Sequence, residues 1–205
     1  TPLAGFKAQL EWLQAHHRDD PDTAQSTALM MVSTERMVRQ AKQLLALARS
    51  EPGDFERNRL ERISLDELVS ESVQNFVDQA TKKTIDIGFD LQPTIVKGDR
   101  FLLRDLIDNL VDNAIRYSPE GSVVTVRCTQ DDGYGVLTVE DDGPGIPDAD
   151  KEKIFSRFYR LDQSQPGSGL GLAIVRDIVK DHDAVIEVCS GEKGHGTVFT
   201  IRFPV

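Results

Sequence analysis

Apolar side chains near the N-terminus recur at a spacing that predicts two helices. The apolar positions of the first helix are three, four and three residues apart: Leu3, Phe6, Leu10 and Leu13. After a polar break over residues 16–21, a second helix is predicted over residues 25–49. Its seam runs through Met30, Thr34, Met37, Ala41, Leu44 and Ala48. Seams of this kind are typical of helices that pack on other helices.

A hairpin of two such helices cannot bury both apolar seams by itself. We therefore predict that residues 1–51 form a helical hairpin that dimerises into a four-helix bundle. The alternative is a hairpin that folds back onto the rest of its own chain. Glu51-Pro52-Gly53-Asp54 ends the pattern, and residues 52–62 are predicted to be a linker.

From residue 63 onward the periodicity becomes that of a mixed domain. Helices are predicted from a capping box at Ser64 to Ala80, over residues 99–116 and over residues 169–181. Strands are predicted at residues 85–91, 124–128, 136–139, 185–189 and 197–203. Asp132-Gly133 is a hairpin turn, and residues 143–167 are predicted to be a mobile loop. Residues 63–205 should therefore form an α+β, two-layer sandwich with helices on one face of a mixed or antiparallel sheet.

Composition indicates a globular protein with an acidic surface. Of the 205 residues, 39% are apolar and 28% are charged, which supports a sizeable core and argues against disorder. The net charge of −10 and the pI of about 4.9 argue against nucleic acid as a partner. A bound phosphate compound would need Mg²⁺ or well-placed cationic side chains to offset this acidic field.

Cysteine usage and hydropathy add two expectations. Cys128 and Cys189 form no C-x-x-C pair, and we expect both to be reduced and buried in strands. No apolar run approaches the roughly 20 residues that cross a membrane, and no signal peptide is visible. Because Thr1-Pro2-Leu3 is an unusual start for a protein, we expect this chain to be part of a longer protein. The absence of a membrane segment here then says little about that full-length protein.

One predicted helix carries a pair of asparagines suited to metal and phosphate chemistry. Asn109 and Asn113 are four residues apart, so their carboxamides share a face, and Arg116 lies one turn beyond. Amide oxygens suit Mg²⁺, and an arginine suits phosphate oxygens. Two asparagines at this spacing are, on their own, more often a solvated helix face.

Two glycine-rich segments follow. Asp141-Asp142-Gly143-Pro144-Gly145 comes directly after a strand, where the backbone can approach a flat ligand and an aspartate can accept from an amine such as that of adenine. An acidic β-turn is the alternative. The segment Gly167-Ser168-Gly169-Leu170-Gly171 opens a helix, whose N–H groups suit an anion. It lies too late in the chain for a dinucleotide fingerprint, and no P-loop motif occurs.

Together and in this order, these segments resemble the histidine kinase branch of the GHKL, or Bergerat-fold, ATPases. The resemblance covers about residues 62–205 and five motifs: an N box at 109–117, a G1 box at 141–145, an F box at 155–158, a G2 box at 167–171 and a closing G-T-x-F at 196–199. Thr1-Pro2-Leu3 matches the end of the family's H-[ED]-x-x-[TN]-P-L motif. The phospho-accepting histidine is then expected four residues before Thr1, and the subgroup is the one with OmpR-like regulators.

The resemblance implies an ATP- and Mg²⁺-dependent protein-histidine kinase. Asp141 would read the adenine amine, Asn113 with Asn109 would hold Mg²⁺, and the lid residues Arg157 and Arg160 would meet the γ-phosphate. Further nucleotide-binding positions are implied at Arg116, Tyr117, Gly143, Gly145, Ile146, Gly167, Ser168, Gly169, Leu170, Gly171, Leu172 and Thr197.

The resemblance also implies partners and a location. The partners are ATP or ADP, a second copy bound through the hairpin, and a response-regulator receiver domain that takes the phosphoryl group on an aspartate, with no nucleic acid. The chain would be the cytoplasmic portion of a bacterial protein anchored in the inner membrane. Thr1 would either orient a water that dephosphorylates the regulator or merely cap a helix. Without the acceptor histidine, residues 1–205 would not phosphorylate themselves.

Three other functions are considered for a chain of this fold. Related ATP hydrolases such as gyrase, MutL and the large heat-shock chaperones carry Glu where this chain has Asn109, and an amide cannot act as general base. The other rivals are a non-catalytic nucleotide-binding dimerisation module and a Ser/Thr kinase of the same fold.

His16 and His17 are expected in the hairpin turn, whereas His182 and His195 should pack or face water. Asp183-Ala184 replaces two glycines of many relatives, a change that concerns a turn.

Overall fold

A computed structural model of the chain describes residues 30, 60–162, 169–191 and 195–205. The chain divides into two compact units, residues 1–48 and residues 49–205. The predicted dimerising hairpin, with His16 and His17, and residues 52–59 of the predicted linker lie outside the described residues. Met30 is the exception, and it is helical. No helix in the described residues has the length and apolar content that a membrane span needs.

Helices and strands alternate irregularly through the second unit. In the described residues the helices are α1 Leu65–Val73, α2 Val77–Lys82, α3 Arg100–Tyr117 and α4 Gly171–Asp181. The strands are β1 Glu61–Ser64, β2 Asp86–Leu91, β3 Ile95–Gly98, β4 Val123–Asp131, β5 Tyr134–Asp141, β6 Val185–Ser190 and β7 Thr197–Pro204. Single 3₁₀ turns lie at Gln74–Phe76, Asp148–Asp150 and Lys153–Phe155.

The main sheet has five strands in the order β2-β4-β5-β7-β6. The β2–β4 pair is parallel and the other pairs are antiparallel. Alternate side chains of β4 and β7 are buried, as a sheet with one covered face requires. Helices α1, α3 and α4 contact the sheet or each other. This arrangement confirms the predicted α+β sandwich.

Helix α3 is the long central helix of the covering layer. Asp99 caps its start by accepting from the backbone N–H groups of Phe101 at 2.8 Å and Leu102 at 3.2 Å. One face is buried: Leu102, Leu103, Leu106, Ile107, Leu110, Val111, Ala114 and Ile115. Each buried leucine, isoleucine or valine side chain stabilises the fold by about 1.5–3 kcal/mol. The core therefore fixes the rotation of α3, and with it the half-buried Asn109 and Asn113 on another part of its surface.

The β4–β5 hairpin follows the sequence expectation. Asp132 and Gly133 have φ values of 41° and 83°, the left-handed pair that a two-residue type I′ turn requires. The five strands of the main sheet lie where the period-2 pattern predicts them. The two-stranded β1–β3 sheet was not expected, and β1 begins at Glu61 inside the predicted linker.

Two details of the first predicted helix are wrong. Ser64 does not cap α1 through a capping box, since its Oγ donates to Asp66 at 2.9 Å. Asp66 also accepts from the backbone N–H of Thr94 at 3.1 Å, which ties the helix start to the chain before β3. The helix does not run unbroken to Ala80, because a 3₁₀ turn separates α1 from α2 and leaves Val77 about half exposed.

The two cysteines differ from the expectation in one respect. Cys128 is fully buried, and burial raises its pKa to about 12, so it stays a thiol. Cys189 is exposed, so the prediction that both cysteines are buried is wrong. On the edge strand β6, Ile186 and Val188 pair with the buried Ile201 and Phe199, which leaves Cys189 on the open face.

The two late histidines agree with the expectation that each packs or faces water. His182 is buried, its Nδ1 lies 2.8 Å from the carbonyl oxygen of Ile178, and its Nε2 accepts from the backbone N–H of Asp99 at 3.0 Å. Burial lowers the pKa of His182, which favours the neutral ring that these bonds need. His195 is exposed. Asp183 has a φ of 51°, so the replacement of glycine does concern a turn.

The turn after α2 contains a strained residue, Thr84, and replacing it should stabilise the fold. Thr84 is β-branched yet has a φ of 53°. Such strain costs about 1–3 kcal/mol, and a glycine would relieve it. Glycine's extra freedom in the unfolded chain cancels about 0.5–1 kcal/mol of that gain. We expect Thr84→Gly to stabilise the fold by about 1 kcal/mol, or about 2–4 °C in Tm by calorimetry. Thr81→Gly, inside α2, should lower Tm, and a lower Tm for Thr84→Gly would contradict the strain.

Candidate functional site

A cavity of about 640 Å³ opens beside the C-terminal end of α3. This volume is typical of sites for ligands the size of a nucleotide. Its lining comes from α3, the end of β5 and the chain after it, including the 3₁₀ turn Lys153–Phe155, the start of α4 and the ends of β6 and β7. The lining residues are Asn113, Tyr117, Asp141, Pro144, Gly145, Ile146, Pro147, Ile154, Tyr159, Arg160, Leu161, Asp162, Leu172, Ser190, Thr197 and Phe199.

Asp141 is the buried acidic group of this cavity. Its Oδ1 accepts from the backbone N–H groups of Gly143 at 2.8 Å and Thr197 at 3.2 Å. Only 6% of the residue is exposed. Burial raises the pKa of Asp141 to about 6, even though both N–H groups stabilise its ionised form. The carboxylate is therefore fixed in direction and ionised above about pH 6, so it can accept a hydrogen bond from a ligand.

Two glycines permit the backbone to close around Asp141. A Cβ on Gly143 would lie 2.7 Å from Asp141 Oδ1, and a Cβ on Gly196 would lie 2.0 Å from the Asp141 carbonyl oxygen. Gly196 also has a φ of 80°, and its N–H donates to the carbonyl of Gly143 at 2.8 Å. Side chains at these positions would displace the carboxylate or the strand that carries it. Glycine is thus required on both sides of the aspartate.

The two asparagines of α3 meet the start of α4 at Gly171. Asn109 donates from Nδ2 to the carbonyl of Asp105 at 2.7 Å, one turn earlier. A Cβ on Gly171 would lie 2.9 Å from Asn109 Oδ1 and 3.8 Å from Asn113 Nδ2. Asn113 lines the cavity, whereas Asn109 is not among the lining residues. The asparagine pair predicted to act together therefore lies at one helix crossing, with Asn113 at the cavity.

Of the three arginines predicted to contact phosphate, one lines the cavity and two do not. Arg160 lines the cavity, and its guanidinium donates to the carbonyl of Asp162 at 3.1 Å. Arg116 is paired with Asp112 one turn before it, and Arg157 is 3.4 Å from Asp177 on α4. Neither Arg116 nor Arg157 is among the lining residues. Their predicted contacts with phosphate stay predictions.

The glycine-rich segment before α4 is partly described. Gly167 and Ser168, as well as Thr1, lie outside the described residues. Gly169 has a φ of 69° and its carbonyl accepts from the N–H of Phe158 at 2.8 Å, so the F box and the described part of the G2 box are hydrogen-bonded to each other. Leu170 is buried and Leu172 lines the cavity.

Several lining residues were missed by sequence reasoning. Phe199 had a signal, since it closes the G-T-x-F motif, and Tyr159 directly follows the F box. Ser190 had none in its local sequence, because it reaches the cavity only by pairing with Thr197 across β6 and β7. Such cross-strand neighbours depend on register, which short apolar runs do not fix.

The resemblance implies that Asp141 accepts from the adenine amine, and the raised pKa of Asp141 then predicts a pH-dependent affinity for adenosine, which carries no titrating phosphate. Oδ1 of Asp141 already accepts from two backbone N–H groups, so a proton on this carboxyl group is expected on Oδ2, the oxygen left for the amine. Protonation turns that oxygen into a donor, and affinity should therefore fall as pH drops through about 6. Between pH 7.5 and pH 5.5, we expect a loss of about fourfold, measured by NMR titration. Asp141→Asn should bind weakly at both pH values, and a pH-independent wild type would contradict this role of the carboxylate.

The sequence of this chain is similar to those of sensor histidine kinases. Residues 98–205 match the family model described as histidine kinase-, DNA gyrase B-, and HSP90-like ATPase. Sensor-like histidine kinase SenX3 of Mycolicibacterium smegmatis is 36% identical over 211 residues, which cover 100% of this chain and 54% of that protein. Sensor protein QseC of Escherichia coli K12 is 37% identical over 198 residues, covering 95% of this chain and 43% of that protein.

Solved structures agree with the sequence relatives. The mycobacterial sensor histidine kinase MprB has a TM-score of 0.65 and 34% identity, and the match covers 71% of this chain and 97% of that one. The cytoplasmic segment of histidine kinase QseC has a TM-score of 0.57 and 29% identity, covering 82% and 93% of the two chains. This chain spans about half the length of the curated relatives that it matches.

Proposed function

The chain belongs to the histidine kinase-, DNA gyrase B-, and HSP90-like ATPase family, as the ATP-binding catalytic domain of a two-component sensor histidine kinase, and from this premise we propose a role for each side of its cavity. Adenine lies against Gly145 and Ile146, and its amine donates to Asp141. The observation that carries this proposal is the convergence of Asp141, Asn113 and the start of α4 on one cavity.

The phosphate end of the nucleotide lies toward α3 and α4 in this proposal. The N-terminal end of α4, which starts at Gly171, offers backbone N–H groups and the positive end of a helix dipole. Arg160 lines the same cavity and adds a positive charge. These groups offset the acidic background of a chain with a net charge of −10.

The donor set at this end fits Mg²⁺ that arrives with the nucleotide. Among the described side chains, no group of three or more histidine, cysteine or acidic residues is arranged to hold a metal by itself. Asn113 supplies a neutral amide at the cavity, and Asn109 Oδ1 faces the same helix crossing. Mg²⁺ typically takes few protein ligands and completes its shell with phosphate and water oxygens. When bound, it would neutralise phosphate charge, with Asn113 and Asn109 as the proposed protein ligands.

The proposed reaction is transfer of the γ-phosphoryl group of ATP to a histidine. A ring nitrogen of that histidine forms a bond to the γ-phosphorus while the bond to the bridging oxygen breaks, and ADP leaves with the electron pair. This domain contributes position and charge, which carry most of phosphoryl-transfer catalysis. The histidine lies on the helical hairpin of a homodimer, and an aspartate of a response-regulator receiver domain takes the group next. The whole protein is proposed to be anchored in the inner membrane, with this chain in the cytoplasm.

A kinase rather than a hydrolase is supported by Asn109. A hydrolase needs a base that activates water, and a neutral amide cannot serve as one. Asn109 donates to the backbone carbonyl of Asp105, and its Oδ1 lies beside Gly171, so the group held at this helix crossing is an amide. We therefore propose that the chain binds ATP firmly and hydrolyses it slowly.

Steady-state phosphate release from the wild-type chain, Asn109→Glu and Asn109→Gln tests this proposal. General-base assistance contributes about 10²–10⁴-fold when the geometry is right. Because Asn109 Oδ1 would lie only 2.9 Å from a Cβ on Gly171, little space is left at this crossing for a longer side chain, and we expect Asn109→Glu to gain only about tenfold. Asn109→Gln has the same length without a base and should gain nothing.

ATP affinity, measured in parallel by calorimetry, separates lost binding from lost chemistry. Fast hydrolysis by the wild-type chain would contradict the kinase assignment and favour an ATPase. Equal rates for the Glu and Gln variants, with binding intact, would show that Asn109 alone does not distinguish the two reactions.

A further inference from the structure

Lys83 stands outside the cavity, in the turn after α2, and its ammonium group is fully engaged by backbone. Nζ donates to the carbonyl oxygens of Ile115 at 3.0 Å, Arg116 at 2.7 Å and Ser118 at 3.1 Å. An ammonium group has three donors, so each is matched by one acceptor. The three carbonyls belong to the last turn of α3 and the residue that ends it.

A positively charged side chain is stabilising at the C-terminal end of a helix. The last carbonyls of a helix lack partners within the helix, and they carry the negative end of its dipole. A lysine ammonium neutralises that end and satisfies the carbonyls with charge-assisted bonds. In addition, the carbonyl of Lys83 accepts from the N–H of Gly121 at 3.1 Å. Lys83 thus holds the chain on both sides of the point where α3 ends.

This end of α3 is also a wall of the cavity. Tyr117 lies between two of the carbonyls that Lys83 binds, and it lines the cavity. The carbonyl oxygen of Tyr117 would be 3.2 Å from a Cβ on Gly143, next to the carboxylate of Asp141. Asn113, one turn earlier on α3, lines the cavity as well. A shift of the last turn of α3 would therefore move Tyr117 against the adenine side of the site.

We propose that Lys83 is a positioning residue for nucleotide binding, which fixes the end of α3 so that Tyr117 and Asn113 face the ligand. The proposal deepens the ATP site and rests on the function proposed above. Lys83 acts through backbone carbonyls and touches no ligand. Its contribution is the location of the α3 terminus, and only the ammonium group supplies it.

The first test compares ATP affinity of the wild-type chain, Lys83→Met and Lys82→Met by calorimetry. Methionine keeps the aliphatic length of lysine and removes the three donors. Lys82 is the exposed neighbour, so its variant removes the same charge without touching α3. We expect Lys83→Met to lose about tenfold in affinity and Lys82→Met less than twofold, at a temperature where circular dichroism shows every variant folded. Lys83→Met with wild-type affinity would overturn the proposal.

The second test uses chemical rescue, which ties the loss of ATP affinity to the missing N–H donors. Lys83→Ala leaves three carbonyl oxygens around the volume of the missing side chain. We expect ammonium chloride to restore at least threefold of the lost ATP affinity, because ammonium offers the same donors. Tetramethylammonium chloride at equal ionic strength has no N–H and should restore none. Equal behaviour in the two salts would reject the positioning role. Absence of ATP binding by the wild-type chain would instead reject the proposed function itself.

Discussion

Asp141→Asn is expected to weaken ATP binding about 100-fold, the largest predicted change in nucleotide affinity. The carboxylate accepts from two backbone N–H groups through one oxygen and lines the cavity. An asparagine would keep one acceptor oxygen for those N–H groups and turn its NH₂ group toward the adenine amine, another donor. A buried donor left without an acceptor costs about 1–3 kcal/mol, which corresponds to roughly 5- to 150-fold in affinity.

The same substitution should not destabilise the fold, which separates binding from stability. The pKa of Asp141 in the folded chain is about 6, raised from 3.8 chiefly by burial. A raised carboxyl pKa means that the ionised form costs stability. That cost is absent below about pH 3.8 and fully present above about pH 6. Asparagine removes it, so Tm at pH 7.5 should stay equal or rise.

The control for Asp141→Asn is Asp142→Asn. Asp142 is exposed, accepts from the backbone N–H of Val123 at 3.0 Å and does not line the cavity. Its variant should change ATP affinity less than about threefold, since an exposed charge contributes little. Calorimetric titration of ATP into the three proteins is decisive. An Asp141→Asn protein that binds ATP like the wild type would contradict the adenine assignment.

Asn113→Ala is expected to reduce phosphoryl transfer about 10²–10³-fold, in a chain that includes the acceptor histidine. Removing one group that stabilises charge at a reacting centre typically costs this much. The reason lies in the position of Asn113, the asparagine of α3 that lines the cavity, next to the start of α4. Since Asn113 is the proposed ligand of Mg²⁺, the loss should fall on the metal-dependent part of ATP binding.

The measurement is ATP affinity with and without Mg²⁺, next to the rate of phosphoryl transfer. In the wild-type chain, chelation of Mg²⁺ should weaken ATP binding, and in Asn113→Ala it should change little. Asn75→Ala provides the matched control, because Asn75 is exposed and bonds only locally to the carbonyl of Ser72. An Asn113→Ala protein that keeps the full effect of Mg²⁺ would show that another group holds the metal.

The sequence predicted the parts of the fold in which local pattern and tertiary packing agree. The main-sheet strands followed from alternating apolar positions, and the turn at Asp132-Gly133 followed from the residues that tolerate positive φ. The β1–β3 pair did not follow, because Ile95–Gly98 is four residues long and its partner lies more than thirty residues away. The 3₁₀ turn at Gln74–Phe76 was hidden because apolar residues continue through it.

The candidate site was predictable where a motif placed a side chain on a known element. Asp141 at a strand end, Asn113 on α3 and Gly171 at the start of α4 all meet at or beside the cavity. Contacts made across the fold were not predictable. Ser190 depends on strand register, and Lys83 depends on the distance between a turn and the end of α3. Neither position has a local pattern that distinguishes it from an ordinary surface residue.

Transfer of label from γ-³²P-ATP tests the central claim most directly. The assay uses a chain that includes the acceptor histidine, with Mg²⁺, and compares the wild type with Asp141→Asn. We predict label that is lost in acid and stable in alkali, as phosphohistidine is, and strongly reduced label in the variant. Rapid release of inorganic phosphate without labelled protein, or acid-stable label on a hydroxyl side chain, would contradict the account.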